Sequence, residues 1–142
     1  MSRLTTVCLL ICISSISGAH EGAEGVVKER MDRFKENKSA MKTIKRNLSG
    51  DTVVIAQKAS EIEAWASEMV NFFPEGSSQP PSEALPEIWN AFDHFTELAN
   101  ANATAAANLK KLAESGADTN ALTNGLKALG KTCKDCHNDY RK

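Results

Sequence analysis

From about residue 26 onward the apolar residues recur at spacings of three and four, and no stretch alternates with the two-residue period of a strand. A first stretch, about 26–48, sets Val27, Phe34, Met41 and Leu48 seven apart, with Met31 and Ile44 between them. A second, about 52–73, runs Ile55, Ala59, Ile62, Ala66, Met69, Phe73. A third, about 84–114, carries Leu85, Phe92, Ala99, Ala106 and Ala113, with Ile88, Phe95 and Leu109 alongside; Pro86 fits only in its first turn. The fourth, about 119–140, runs Leu122, Leu126, Leu129, Cys133, Cys136, Tyr140. Between them lie Ser49-Gly50-Asp51, the Gly/Ser/Pro-rich segment 74–81, and Ser115-Gly116-Ala117-Asp118. Gly50 and Gly116 suit the position just past a helix, and Asp51 and Asp118 suit the N-cap of the next. Short first and third connections make those helix pairs antiparallel neighbours. The pattern predicts an all-α fold, an antiparallel up-down-up-down four-helix bundle.

Two details of the pattern bear on function. Val54, Trp65 and Phe72 form a second apolar line off the seam of the second helix, expected to face outward as a dimer surface with the first helix; burial of Trp65 within one subunit is the alternative. The third helix is small along its seam (Ala99, Ala103, Ala106, Ala107), which suits close helix approach or room for a large group in the core.

The first nineteen residues break the pattern and read as an export signal. Arg3 supplies the positive start, an apolar run follows from Leu4 to Ile16, and Ser17-Gly18-Ala19 places small residues before a cut at His20. That run is shorter than the ~20 residues a membrane span needs. Residues 20–142 then form the mature domain, with no membrane span. Removing the signal also removes Cys8 and Cys12, so of four cysteines only Cys133 and Cys136 remain. A disulfide between helical residues three apart closes almost no loop and is a poor staple.

Charge changes the picture little. Seventeen Lys and Arg stand against eighteen Asp and Glu, and loss of Arg3 leaves sixteen against eighteen. A nucleic-acid binder would carry a basic excess, so that class is excluded. Lys35, Lys38, Lys42, Lys45 and Arg46 on the first helix suit either an acidic redox partner or an ordinary solvated face.

The chemistry lies in Cys133-Lys134-Asp135-Cys136-His137, the C-x-x-C-H pattern of covalent haem c attachment. Two thiols at i and i+3 share one helix face and can form thioethers with two vinyl groups. His137, four residues beyond Cys133, shares that face and can direct a ring nitrogen at the iron. Three other readings compete. A redox C-x-x-C wants a βαβ setting. A zinc site needs four ligands, whereas the mature chain has two Cys and three His at unsuitable spacing. A chance C-x-x-C leaves His137 unexplained.

The chain resembles the cytochrome c′ family, the class II c-type cytochromes, over its whole mature length. The resemblance rests on Val27-Lys28-Glu29-Arg30, on Pro86-Glu87-Ile88-Trp89, on Gly130, and on Cys133-Lys134-Asp135-Cys136-His137-Asn138-Asp139-Tyr140-Arg141 at the end. It implies a left-handed bundle, a homodimer through the first two helices, in the periplasm, with one haem c per subunit near one end of the core. His137 would be the axial iron ligand, with Tyr140 and Arg141 on the proximal side and Arg30, Met31 and Phe34 on the distal side. Relatives with a sixth, sulfur ligand carry methionine four residues after the helix-one arginine. Here that residue is Phe34, which has no lone pair to donate. Where many relatives have a polar residue near a haem propionate, this chain has Met31, which weakens any such role.

The resemblance therefore implies a five-coordinate, high-spin iron that binds NO or CO or carries electrons to a redox partner. The alternatives are a low-spin electron carrier, with Met31, Met41 or Met69 as sulfur ligand, and a haem enzyme reducing NO or peroxide. The last lacks a visible distal histidine for acid–base work.

Overall fold

The computed structural model describes residues 23–142; the export signal read over 1–19 lies outside the described residues. Four long helices form: α1 (Gly25–Asn47), α2 (Thr52–Glu68), α4 (Phe92–Glu114) and α5 (Thr119–Tyr140), with a one-turn helix α3 (Glu87–Asn90) preceding α4. α1 packs on α2, α2 on α4 and α4 on α5, as expected of an up-down-up-down bundle. No described helix is long and apolar enough to cross a membrane.

The connections follow local chemistry. Asp51 caps α2 by accepting from the Val53 and Val54 amides, and Asp118 caps α5 by accepting from Ala121 N at 2.8 Å. Gly116 ends α4 at φ +68°, with Ala117 N donating to the Leu112 carbonyl, so it is the left-handed C′ glycine expected. Gly50 lies outside the left-handed region.

The second and third predicted helices need correction. The second is α-helical only to Glu68 and closes as a 3-10 turn over Met69–Phe72. The third breaks at Ala91 (φ −135°, ψ 48°). Two tertiary contacts hold the break: Trp89 Nε1 donates to the Phe73 carbonyl at 3.0 Å, and Tyr140 Oη donates to the Ala91 carbonyl at 3.3 Å. The heptad therefore does not run through: Phe92, placed on the seam from the sequence, is exposed, while Ile88 and Phe95 are buried.

The core has two halves. One is aliphatic and includes Ile44, Ile55, Ile62, Leu109, Leu122 and Leu129. The other is aromatic: Trp65, Met69, Phe73, Ile88, Phe95, Ala99 and Tyr140, with Phe34, Phe72, Trp89 and Cys136 packed against it. The outward line through Val54, Trp65 and Phe72 is thus corrected. Trp65 is only 3% exposed, and Phe72 folds onto it with ring centroids 4.9 Å apart. The 3-10 turn after Glu68 rotates Phe72 off the register of α2.

Candidate functional site

The terminal turns of α5 carry Cys133, Cys136, His137 and Tyr140. Helical spacing sets Cys133, Cys136 and Tyr140 on the inward face, and Cys136 packs into the aromatic half of the core. Both cysteines are free and half-buried. Burial pushes the Cys136 thiol up to about 11, and burial likewise raises Cys133. Both stay protonated at neutral pH, unlike the lowered thiol of a redox C-x-x-C. Apart from the single bridge between Ala84 and Arg141, no β structure occurs among the described residues, so the βαβ setting of that reading is missing. No group of three or more His, Cys, Asp or Glu side chains converges among the described residues, which removes the zinc reading.

Cys133 is held from α4. Asn102, buried in the small-residue seam, donates to Thr132 Oγ1 at 2.8 Å and to Cys133 Sγ at 3.5 Å. Nothing in the sequence marks Asn102 as a partner of Cys133 beyond its place among the alanines of that seam.

His137 lies at the surface. Partial desolvation lowers its pKa, and the Arg141 guanidinium lowers it further, against an opposing pull from Glu83. The neutral imidazole, which has a free lone pair, is therefore favoured near neutral pH. Arg141 donates through Nε to Glu83 Oε2 at 2.6 Å, and its guanidinium also pairs with that carboxylate. Backbone bonds from Leu85 N to the Tyr140 carbonyl and from Lys142 N to the Glu83 carbonyl clasp the end of α5 to the segment before α3. Tyr140 is buried against Phe95, ring centroids 5.4 Å apart.

Across the core, α1 contributes Phe34 and Arg30. Phe34 meets Trp65 edge-on at 5.5 Å and Phe73 at 6.4 Å, so it belongs to the same aromatic cluster as Cys136. Arg30 is 2% exposed, yet none of its partners is a carboxylate. Nη1 donates to the Phe72 carbonyl (3.1 Å) and Ser77 Oγ (2.7 Å). Nη2 donates to Ser82 Oγ (2.7 Å) and to the Ser77 carbonyl. Its guanidinium lies 4.5 Å from the Phe73 ring centroid. Met31 is half-buried and packs in neither half of the core. Met41 lies toward the aliphatic half, whereas Met69 is buried inside the aromatic half. His94 stays at the surface between Glu97 and Asp139, 3.5 Å from each.

Two buried groups at this end lack a natural partner: the Arg30 cation has no anion, and Trp65 Nε1 has no acceptor. Buried charges are normally paired and buried donors bonded. A flat apolar ring carrying carboxylates, tethered through two thiols, fits such a set of residues. A surface groove of about 740 Å3 between α2 and α4, lined by residues such as Gln57, Lys110 and Glu114, shares no residue with this end.

This arrangement defines a class, the helical bundles that tether a c-type haem through their last helix. Within that class the chain belongs to the cytochrome c′ family, whose profile, Cytochrome C', matches residues 25–141. It is 32% identical to the cytochrome c′ of Rhodospirillum rubrum over 146 aligned positions, covering 99% of each chain. The fold is similar to cytochrome c′ from Rhodopseudomonas palustris, with a TM-score of 0.76 at 25% identity over 84% of this chain and 98% of that one. It also matches a nitric oxide complex of a cytochrome c′ variant from Alcaligenes xylosoxidans, with a TM-score of 0.73 over 82% and 94% of the two chains. At 23% identity that likeness concerns the fold alone. Membership implies covalently bound haem c.

Proposed function

We propose that this protein is a periplasmic cytochrome c′ whose five-coordinate, high-spin haem binds small diatomic gases such as NO and CO. Cys133 and Cys136 would hold the haem as thioethers, each neutral thiol adding across one vinyl group. His137 would be the axial ligand on the face of α5. When bound, the haem supplies a ferrous iron with one open coordination position and a one-electron couple. The chain's own residues do the rest. Asn102 fixes Cys133, Arg141 stands one turn beyond His137 and is itself held by Glu83, and Arg30 brings a buried positive charge suited to a propionate. The observation that carries the reading is Phe34: the side chain on α1 that packs into the cluster containing Cys136 is a ring with no lone pair. An apolar roof of that kind excludes water and anions and admits a small uncharged diatomic.

A second reading has one specific observation behind it. Met69 places a thioether inside the same cluster, so a low-spin iron with Met69 as sixth ligand, acting purely in electron transfer, is the competing form. In that case Lys38, Lys42 and Lys45, exposed on α1 and free of ion pairs among the described residues, are the natural face for an acidic redox partner. In either form we place a homodimer on α1 and α2, whose outer faces enclose a shallow groove lined by Arg33, Asn37, Glu61 and Glu68.

The absorption spectrum of the ferrous holoprotein with and without CO separates the two. The gas-binding reading expects a high-spin spectrum that CO converts to a low-spin adduct. A low-spin spectrum that CO leaves unchanged overturns it, and Met69→Leu would then restore CO binding.

A further inference from the structure

Trp65 is the one residue in the described structure with a buried side-chain nitrogen or oxygen that has no hydrogen-bond partner. Its indole Nε1–H can only donate. Phe34 stands edge-on at 87°, Phe72 covers it at 4.9 Å, and Met69 belongs to the same cluster; the ring also borders the outer groove of Asn37, Glu61 and Glu68, none of which accepts from Nε1. The Arg33 guanidinium of α1 lies 5.7 Å from the ring centroid and offers no acceptor. Trp89 provides the contrast within the same cluster, since its Nε1 is satisfied by the Phe73 carbonyl. Native interiors leave very few donors in this state, and each such donor calls for an explanation. Phenylalanine would fill nearly the same space with no orphan donor.

We infer that Trp65 is the hydrogen-bond donor of the pocket under Phe34, supplying its Nε1–H to an acceptor oxygen carried in by the haem or its ligand. The inference rests on the proposed haem-binding reading and refines it. An apolar pocket with one indole donor favours an adduct in which the ligand's outer atom gains negative charge, as bound NO or O2 does, over CO, whose outer atom gains little. The same donor could instead reach a porphyrin carboxylate, and the two sources of acceptor oxygen differ in what they move.

The test uses the ferrous holoprotein, wild type beside Trp65→Phe, with Trp89→Phe as the comparison. If Trp65 donates to the bound ligand, Trp65→Phe raises the C–O stretching frequency of the CO adduct. It also speeds NO release about three- to tenfold, the span expected for one hydrogen bond of ordinary strength. If it donates to a carboxylate, those quantities stay constant and the haem midpoint potential shifts. In both cases Trp89→Phe leaves them unchanged. The wild-type indole N–H resonance in a diamagnetic low-spin ferrous state is the deciding measurement: that state is the CO adduct where CO binds, and the ferrous protein itself where a sixth ligand from the chain keeps CO out. A hydrogen-bonded position for Trp65 supports the inference, and a free position overturns it. Failure of CO to bind, with the indole still hydrogen-bonded, counts against the gas-binding reading and leaves the donor role of Trp65 standing.

Discussion

Arg30 shows how much a single residue organises at this end of the bundle. A guanidinium at 2% exposure sheds nearly all its water, and burial lowers its pKa, yet no carboxylate compensates it. What it gains is a four-pronged set of bonds to the Phe72 and Ser77 carbonyls and to the Ser77 and Ser82 hydroxyls. Those bonds fix the segment between the 3-10 turn and α3, which has no regular structure of its own. Hydrogen bonds from a charged donor contribute about 1.5–3 kcal/mol each at best, and much of that is spent on desolvating the cation. Arg30→Met keeps the length and loses the fork, so we expect a net loss of about 2 kcal/mol, read as a lower urea midpoint at unchanged slope. Arg30→Lys should recover little, because an ammonium lacks the planar fork that reaches all four acceptors. Full recovery by lysine would show that charge alone holds the segment.

At the scale of elements, the helix ends separate two glycines that look alike in the sequence. Gly116 sits at φ +68°, where a Cβ crowds the following carbonyl, while Gly50 does not, and a Cβ there would touch only Asn47, its O at 3.7 Å and its Oδ1 at 3.9 Å. Gly116→Ala should therefore cost about 1 kcal/mol, and Gly50→Ala should be neutral or slightly stabilising, both read from thermal midpoints. α5 was legible almost residue for residue, because its cap, its heptad and its motif all point to one helix. The same holds for α1. The third helix was not, since nothing local at Asn90 or Ala91 breaks a helix. The break is imposed by Trp89 and Tyr140 from elsewhere in the fold. Trp65 was placed outward because periodicity assumes one α-helical register, and a wide aromatic ring on a seam flank can turn into the core. The C-x-x-C-H pattern of Cys133, Cys136 and His137, proposed as the attachment site, stands out in the sequence by its spacing alone. Asn102, Ser82 and Glu83, which hold pieces of that site in place, do not, because they act across 30 to 60 residues of chain.

The whole molecule is a bundle with unlike ends, and this sets how it should respond to losing its tether. The aliphatic half is closed by α1, α2, α4 and α5 with Ile44, Ile55, Leu109 and Leu129 fully buried. The aromatic half depends on the short helix α3, the clasp between the end of α5 and residues 83–85, a buried cation without an anion and a buried indole donor without an acceptor. Local stability follows the density of satisfied contacts, so the two halves should not open together. In a Cys133→Ala/Cys136→Ala protein, which lacks both proposed haem tethers, amide exchange should stay within about tenfold of the holoprotein over residues 52–62 and 102–113. Over residues 69–95 and 136–142 it should accelerate by about a hundredfold or more. Uniform acceleration along the chain would mean that the bundle is one cooperative unit, with the aromatic end structurally indispensable to the aliphatic end. Selective acceleration would mean that the aliphatic half is a preformed scaffold. The proposed thioether formation would then act on a chain already folded at one end, with Cys133 fixed by Asn102 and only the aromatic half left to close around the ring.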